Sequence, residues 1–415
     1  MHKVFIVCLI AFSLSFISAS AYSSPFDIVE KTLLDAGVSF SVESRPVKDL
    51  GEKRTYISQS SSEIKIEIEG LAETVRDSYP YTGLSVYLGQ SPLVAVNAKG
   101  QVKHIKNDDK NLTQLSNWVG YKGRFETVLL KANGGQISSP NEGQMVLVLP
   151  PWAKINVFHG RQDSSINSET YLGFDVRKLQ YSHLWRPLAG LSHWIEALFK
   201  FIQGLTGFGW GLTIIVFAIV MKILMWPLSR LTKKLQSEVD SHKSALEPLF
   251  LDIKQNYKGE AAHKKVMKAY KDRGITPYYT LKPLVVTMLT LPILIAIFNM
   301  LGEVDVFQGQ RFLWAHDLAY PDSVAYLPVS IPFLGNALNI MPFLMAAVTI
   351  VSTMLTRNQG VSDKVKSSQR RNLFLMTGLF FVLFYPFPVA MVFYWTLFNA
   401  LQIIINQFED KIKTS

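Results

Sequence analysis

Residues 210–228 read WGLTIIVFAIVMKILMWPL, nineteen positions with a single charge, Lys222. At 1.5 Å of rise per residue a helix of that length reaches about 28 Å, close to the ~30 Å hydrocarbon core of a bilayer. The stretch therefore predicts a membrane-spanning helix. Further apolar runs follow at 284–301, 340–355, 373–384 and 389–405, the last two separated only by Tyr385-Pro386-Phe387-Pro388. Five spans are expected, with a tight helical hairpin between the fourth and fifth. Bulk composition agrees, since 48% of the 415 residues are hydrophobic and only 18% charged, too apolar for an ordinary soluble chain of this size.

Charge between the runs sets an orientation. The 42 Lys and Arg exceed the 32 Asp and Glu, giving a net charge of +10. That excess fits either nucleic acid or the anionic cytoplasmic leaflet, and its placement decides for the leaflet. Arg230, Lys233, Lys234, Lys243, Lys254, Lys258, Lys264, Lys265, Lys268, Lys271, Arg273 and Lys282 lie between the first two runs. The next loop has Arg311 beside Glu303, Asp305, Asp317 and Asp322, and the one after returns to Arg357, Lys364, Lys366, Arg370 and Arg371. The positive-inside rule then puts the basic loops and the C-terminus in the cytoplasm of a multi-pass inner (plasma) membrane protein.

The N-terminus opens with Met1-His2-Lys3, an apolar stretch from Val4 to Ile17 and Ala19-Ser20-Ala21. Residues 1–24 read as a secretory signal peptide or, if retained, as a first transmembrane helix. Cys8, the only cysteine, rules out a disulfide framework and a cysteine-built zinc site. From 25 to 183 the periodicity changes to two: Ile64, Ile66 and Ile68 alternate with Lys65, Glu67 and Glu69. Ser85-Val86-Tyr87-Leu88, Leu93 to Val96, Met145 to Leu149 and Ile155 to Phe158 are further short strands, punctuated by turns such as Lys99-Gly100 and Asn133-Gly134-Gly135. An all-β sandwich follows, placed on the outer side by the signal-like N-terminus and the basic loops. Its His104 and His159 have no catalytic spacing, and Asn111-Leu112-Thr113 reads as an accident of composition. Between 184 and 208, Leu188, Leu191, Trp194, Ile195, Leu198 and Ile202 recur at helical spacing. They mark an amphipathic helix, interfacial or packed on the sandwich.

Lys222 stands six residues before Leu228, roughly 9 Å inside the span. A charge at that depth reads either as functional or as a lysine snorkelling to the interface. The resemblance of the surrounding residues bears on the choice. Residues 210–215 with Lys222-Ile223-Leu224-Met225-Trp226-Pro227-Leu228 resemble the first core span of the YidC/Oxa/Alb family of membrane protein insertases, where an arginine usually holds the position of Lys222. Tyr257-Lys258-Gly259 through Tyr270 to Thr276-Pro277, with Lys282-Pro283 and Leu291-Pro292-Ile293, resembles that family's cytoplasmic hairpin and following span. Phe312-Leu313-Trp314-Ala315-His316-Asp317-Leu318 with Leu327-Pro328 resembles its external loop, and Phe384-Tyr385-Pro386-Phe387-Pro388 to Asn399 its last two spans. Together the four ordered matches cover about 185–407.

The resemblance implies an α-helical polytopic membrane protein: a five-span insertase core over 209–408, including a cytoplasmic helical hairpin at 230–282, a short tail at 409–415 and the N-terminal extracytoplasmic sandwich. It implies a function without nucleotide hydrolysis or cofactor, in which a positively charged hydrophilic groove helps hydrophobic segments of other proteins enter the bilayer. Lys222, Thr290, Asn399 and Gln402 are the groove candidates, with Tyr394 and Trp395 as a sliding surface. Asn399, Gln402 and Asn406 share one helical face, whereas Thr287, Thr290, Thr349, Ser352 and Thr353 also suit interhelical hydrogen bonds. Nascent membrane proteins and the lipid bilayer are the implied partners, with a Sec translocon and the ribosome as further ones and no nucleic-acid specificity. The chain stops soon after Lys411 and Lys413, without the long basic tail that some relatives use on ribosomes, so docking through the tail is not expected. Lysine in place of arginine keeps the charge and gives up the planar fork, which favours general electrostatics over bidentate capture. The rivals are a transporter or channel using the intramembrane lysine, and a membrane-anchored scaffold. A catalytic membrane enzyme would have to rest on His316-Asp317, which lacks a third partner.

Overall fold

The computed structural model describes residues 24–47, 50–75, 91–97, 99–105, 113–114, 117–141, 143–162, 168–275, 278, 281–332, 334–355 and 363–414. The N-terminal apolar segment with Cys8, the strand expected at 85–88, Asn111, Leu112 and Arg357 lie outside them. The chain forms two compact units: Met1–Glu196 with Asn299–Gln308 and Ser330–Gly335, and Ala197–Phe298 with Gly309–Val329 and Asn336–Ser415.

Among its described residues the first unit starts with α1 (Pro25–Asp35). Ser24 caps it by accepting the Phe26 N–H, Pro25 suits the first position, and Phe26, Val29 and Leu33 form its buried stripe. Among the described residues eleven strands follow: β1 (Phe40–Val47), β2 (Gly51–Ser58), β3 (Ile64–Glu69), β4 (Leu93–Val96), β5 (Val102–His104), β6 (Thr113–Gln114), β7 (Trp118–Lys122), β8 (Glu126–Ala132), β9 (Gln136–Ser138), β10 (Gln144–Leu149) and β11 (Lys154–Arg161). They pair antiparallel in a seven-stranded sheet, β1-β2-β11-β8-β7-β4-β5, and a four-stranded sheet, β3-β10-β9-β6. The alternation read in Ile64 to Glu69 is real: the isoleucines are buried and their neighbours exposed. They meet Met145, Leu147 and Leu149 of their own sheet and Tyr56, Val119, Val128, Leu130 and Val157 of the larger one in a single sandwich core.

The second face of the larger sheet is covered too. Leu129, Phe158 and Trp118 pack there against Leu172, Phe174, Val176 and Leu179. A strand buried on both faces loses its alternation, which explains why β7 and β8, buried almost throughout, escape a period-two reading.

The first unit also encloses a charged cluster. Lys122 at the end of β7 lies 3.4 Å from Glu303, with the two side chains 4% and 1% exposed. The His183 Nε2–H donates to Asn299 Oδ1 at 2.6 Å, Gln180 donates to the Glu303 carbonyl at 3.5 Å, and Arg124 donates to the Gly302 carbonyl. Burial, acting against the pull of Glu303, holds the His183 imidazole below its ordinary pKa of 6.5. Burial does the same to His104. The folded state keeps such a histidine neutral while the unfolded chain protonates it. The stability it contributes is complete above the unfolded pKa and is lost as pH falls through that value towards the folded one. Thermal unfolding is therefore expected at lower temperature at about pH 5.5 than at about pH 7.5, with His183→Gln reducing the difference. Identical pH slopes in both proteins would contradict this.

The second unit is helical, and α2 (Arg186–Thr206), the helix Lys282–Glu303 and a strand pair at 325–338 run between the two units in sequence. The other helices are α3 (Trp210–Asn256), α4 (Gly259–Asp272), α5 (Lys282–Glu303), then the strands β12 (Ala325–Ile331) and β13 (Gly335–Leu338), and α6 (Met341–Leu355), α7 (Asp363–Phe384) and α8 (Val389–Thr414). All five apolar runs are helical. Trp210–Asn256, Leu284–Glu303 and Val389–Gln407 are long and apolar enough to cross a membrane, while Met341–Ser352 and Leu373–Phe384 are shorter apolar helices. The first span and the first arm of the basic hairpin, expected as separate elements, are one helix of 47 residues, about 70 Å long. Gly259, at φ +59°, starts the return arm α4. A small seam joins the arms: Val239 and Leu246 are buried, with Leu249, Phe250, Tyr270 and Ile275 packed around them.

Aromatic rings fill the helical unit. Phe217 packs on Phe199 and Tyr394, and Phe298 on Phe384, Tyr394 and Trp395. Gly211 lies under the Phe312 ring, which tilts onto Phe393 at 5.3 Å, and a Cβ at 211 would overlap that ring. Alanine would gain up to about 1 kcal/mol of helix propensity, but displacing a packed ring costs roughly 1–3 kcal/mol. Gly211→Ala is thus expected to lower the melting temperature slightly, and Gly211→Leu markedly. A rise with leucine would show that Phe312 yields freely.

Candidate functional site

The groove candidates lie on α3, α5 and α8. Lys222 is buried, 5% exposed, on the face of α3 that meets α8. Its Nζ stands 3.6 Å from the centre of the Phe398 ring and donates to the Phe398 carbonyl at 3.3 Å. No carboxylate among the described residues lies within ion-pair distance of it. A π face and a carbonyl dipole are what stabilise this charge, a combination worth up to about 2 kcal/mol where water is excluded.

Beyond Lys222, the same side of α3 presents Trp226, Ser229, Arg230 and Lys233, and with Gln402 and Ile405 of α8 they line a narrow cleft. Arg230 stacks on Trp226 at 3.7 Å. Lys233 and Gln402 both donate to Asn406 Oδ1 at 2.8 Å. Three cations and one amide, Gln402, thus converge on a cleft whose lining has no histidine, cysteine or carboxylate. Such a lining can attract an anionic group by charge, and it pairs no nucleophile with a base. It encloses about 10 Å³, room for one water, so a polypeptide enters only if α3 and α8 separate.

The other candidates are distributed differently. Asn399 donates to Thr349 Oγ1 of α6 at 3.2 Å, an interhelical bond, so the face shared by Asn399, Gln402 and Asn406 serves two neighbouring helices. Tyr394 is completely buried among Phe217, Phe298 and Phe398. Trp395 packs on Phe380 and Phe384. Thr290 is half-buried on α5; the contacts of Lys222 are with α8. The side chains of Thr287 and Thr353 lie outside the description.

Phe398, Trp226, Arg230 and Lys233 escaped the sequence reading as site residues, the two cations being counted only as loop charges. Their signal was present, since 222, 226, 229, 230 and 233 form one stripe at helical spacing. The apolar run ends at Leu228 and charge begins at Arg230, so hydropathy divides the stripe between a span and a hairpin.

The 60Kd inner membrane protein family model matches residues 201–414. Among relatives, the chain is 27% identical to Membrane protein insertase YidC of Chlorobium phaeovibrioides over 242 residues, 56% of this chain and 40% of that protein. It is 24% identical to the insertase of the same name from Pelodictyon phaeoclathratiforme over 352 residues, covering 80% and 57%. With that of Treponema denticola it shares 24% over 380 residues, covering 82% and 61%. The chain thus spans between 40% and 61% of the length of these relatives.

Proposed function

The chain belongs to the 60Kd inner membrane protein family, and on that footing we propose that it is a membrane protein insertase acting through the cleft between α3 and α8. The carrying observation is Lys222, a buried cation in an apolar helix with a π face and a carbonyl as its partners. A client's polar flank must cross hydrocarbon at a cost of several kcal/mol. A cationic recess shortens that crossing and attracts acidic residues, while the apolar segment passes along the helices into lipid. Arg230 and Lys233 extend the positive surface from Lys222 towards the basic hairpin of α3 and α4. Separation of α3 and α8 opens it as a groove and involves no nucleotide hydrolysis.

In this reading all five apolar helices span the bilayer, α6 and α7 completing their lengths with flanking residues. The hairpin and C-terminus face the cytoplasm, and the β-sandwich, preceded by a signal peptide or first span at 1–24, is periplasmic. Nascent membrane proteins are the clients, and a Sec channel and the ribosome are further partners in their delivery.

The test is purified protein in liposomes, given a one-span client and then protease. Protection of the client's translocated tail, with no release of a small trapped solute, is the expected result. Solute release without client protection would favour the transporter or channel reading instead.

A further inference from the structure

Between Asp322 and Arg357 there is not one charged residue. This stretch starts with β12, every side chain of which is exposed, turns back as β13, and enters the apolar helix α6. Strand geometry sends alternate side chains to opposite faces. Ala325, Leu327, Val329 and Ile331 therefore form one aliphatic face and Tyr326, Pro328 and Ser330 the other. Val329 is 67% and Tyr326 69% exposed. In water such a strand would be a liability, because an isolated two-stranded sheet is marginal and an uncharged apolar edge invites aggregation.

The base of this hairpin has a defined place. Asp322, itself buried, accepts the backbone N–H groups of Ile340 and Met341, both at 2.8 Å, and the Trp314 indole N–H at 2.7 Å. It thereby caps the start of α6. Val324 N–H donates to the Leu338 carbonyl at 2.9 Å, and Ser323 N–H donates to Asn339 Oδ1 at 3.0 Å. Asn339 in turn donates to the Tyr385 carbonyl at 2.8 Å, in the turn between α7 and α8. The hairpin is thus tied to the end of an apolar helix and to an interhelical turn, where a membrane helix leaves the hydrocarbon.

We propose that the β12–β13 hairpin is a membrane-interface anchor, its aliphatic face resting on lipid acyl chains in the leaflet at the N-terminal end of α6. Its depth follows from its backbone. The outer-edge N–H and C=O groups cannot enter hydrocarbon unpaired, so the hairpin lies flat at the level of headgroups and water, with the Tyr326 ring in the zone that tyrosines favour. The occupant is lipid rather than a charged protein surface because the hairpin offers no ion-pairing group. For the same reason its binding does not depend on anionic headgroups.

The test uses the full chain with Cys8→Ser, leaving a single introduced cysteine labelled with an environment-sensitive fluorophore. The label is placed at Val329→Cys, at Ser330→Cys on the opposite face, or at Glu67→Cys on the exposed face of β3 as an aqueous reference. After reconstitution in phosphatidylcholine vesicles, the label at 329 is expected to lie about 5–10 Å below the headgroup phosphates. It should be quenched by lipids spin-labelled near the carbonyls and be severalfold less accessible to iodide than the label at 67. The label at 330 should be intermediate, and phosphatidylglycerol should change nothing. Iodide access at 329 equal to that at 67 overturns the proposal in favour of an aqueous hairpin. Shielding at 329 that grows with protein-to-lipid ratio and brings self-quenching would assign the surface to a second copy, and shielding that arrives only with a client would assign it to an added strand. None of these readings depends on insertion, so failure of the insertase reading leaves the test intact.

Discussion

Reversing the charge in Lys222→Glu is expected to reduce insertion of a one-span client with an acidic translocated tail at least about 30-fold. Two unit charges 4 Å apart attract by about 4 kcal/mol at an effective dielectric of ~20. If water in the opened cleft halves that, ~2 kcal/mol remains, which is about 30-fold. Lys222→Arg keeps the charge and should stay within a fewfold of the parent. Glutamate would also put an anion against the Phe398 ring face and carbonyl, both of which repel it, so a loss of folding could imitate the result. Lys222→Met separates the two effects: it removes the attraction without leaving an unpaired charge. The decisive reading is the dependence on the client's tail. An acidic tail should suffer in the Met and Glu variants and a neutral tail hardly at all, measured by protease protection at matched protein levels. Full insertion of the acidic-tail client by the Glu variant would remove electrostatic attraction from the mechanism.

Lys122→Met is expected to destabilise the first unit by about 3–5 kcal/mol, because removing one member of a buried pair leaves the other charge uncompensated. Glu303, 1% exposed, would then keep His183 at 3.7 Å, and burial opposes a charge on that imidazole. At about 2–4 °C per kcal/mol for a domain of this size, the melting temperature should fall by roughly 10 °C. The double change Lys122→Met with Glu303→Leu should recover most of the loss, since an apolar pair of similar volume is often as stable as a buried ion pair. If the single and double variants melt alike, the pair is not what stabilises this region.

Much of this architecture was legible from local patterns. The run at 210–228 announced a membrane helix, and Ile64, Ile66 and Ile68 announced a half-buried strand. Gly259 marked the turn between the arms of the basic hairpin. The reading failed where burial is not one-sided. β7 and β8 are covered on both faces and lost their alternation. The helix from Trp210 continues past Pro227 to Asn256, although charge begins at Arg230, because helical hydrogen bonding does not end where hydrocarbon does. Of the residues lining the cleft, Lys222 and Gln402 stand out in the sequence, since a lone charge or amide is conspicuous in an apolar run. Phe398 does not, because an aromatic residue among apolar neighbours has no signal until a cation is placed over it.

By itself the sequence determined the class of protein, the order of its β and helical parts and the positions of its apolar helices, because hydropathy and periodicity are properties of neighbours along the chain. Tertiary structure alone decided which distant groups meet. Lys222 meets a carbonyl 176 residues away, and Lys122 meets a carboxylate 181 residues away. Glu303, which reads as a loop acid, is buried in that pair, and Asp322, another, caps α6. A charge leaves water only where packing supplies a partner, and no local pattern specifies which helix end or strand end will supply it.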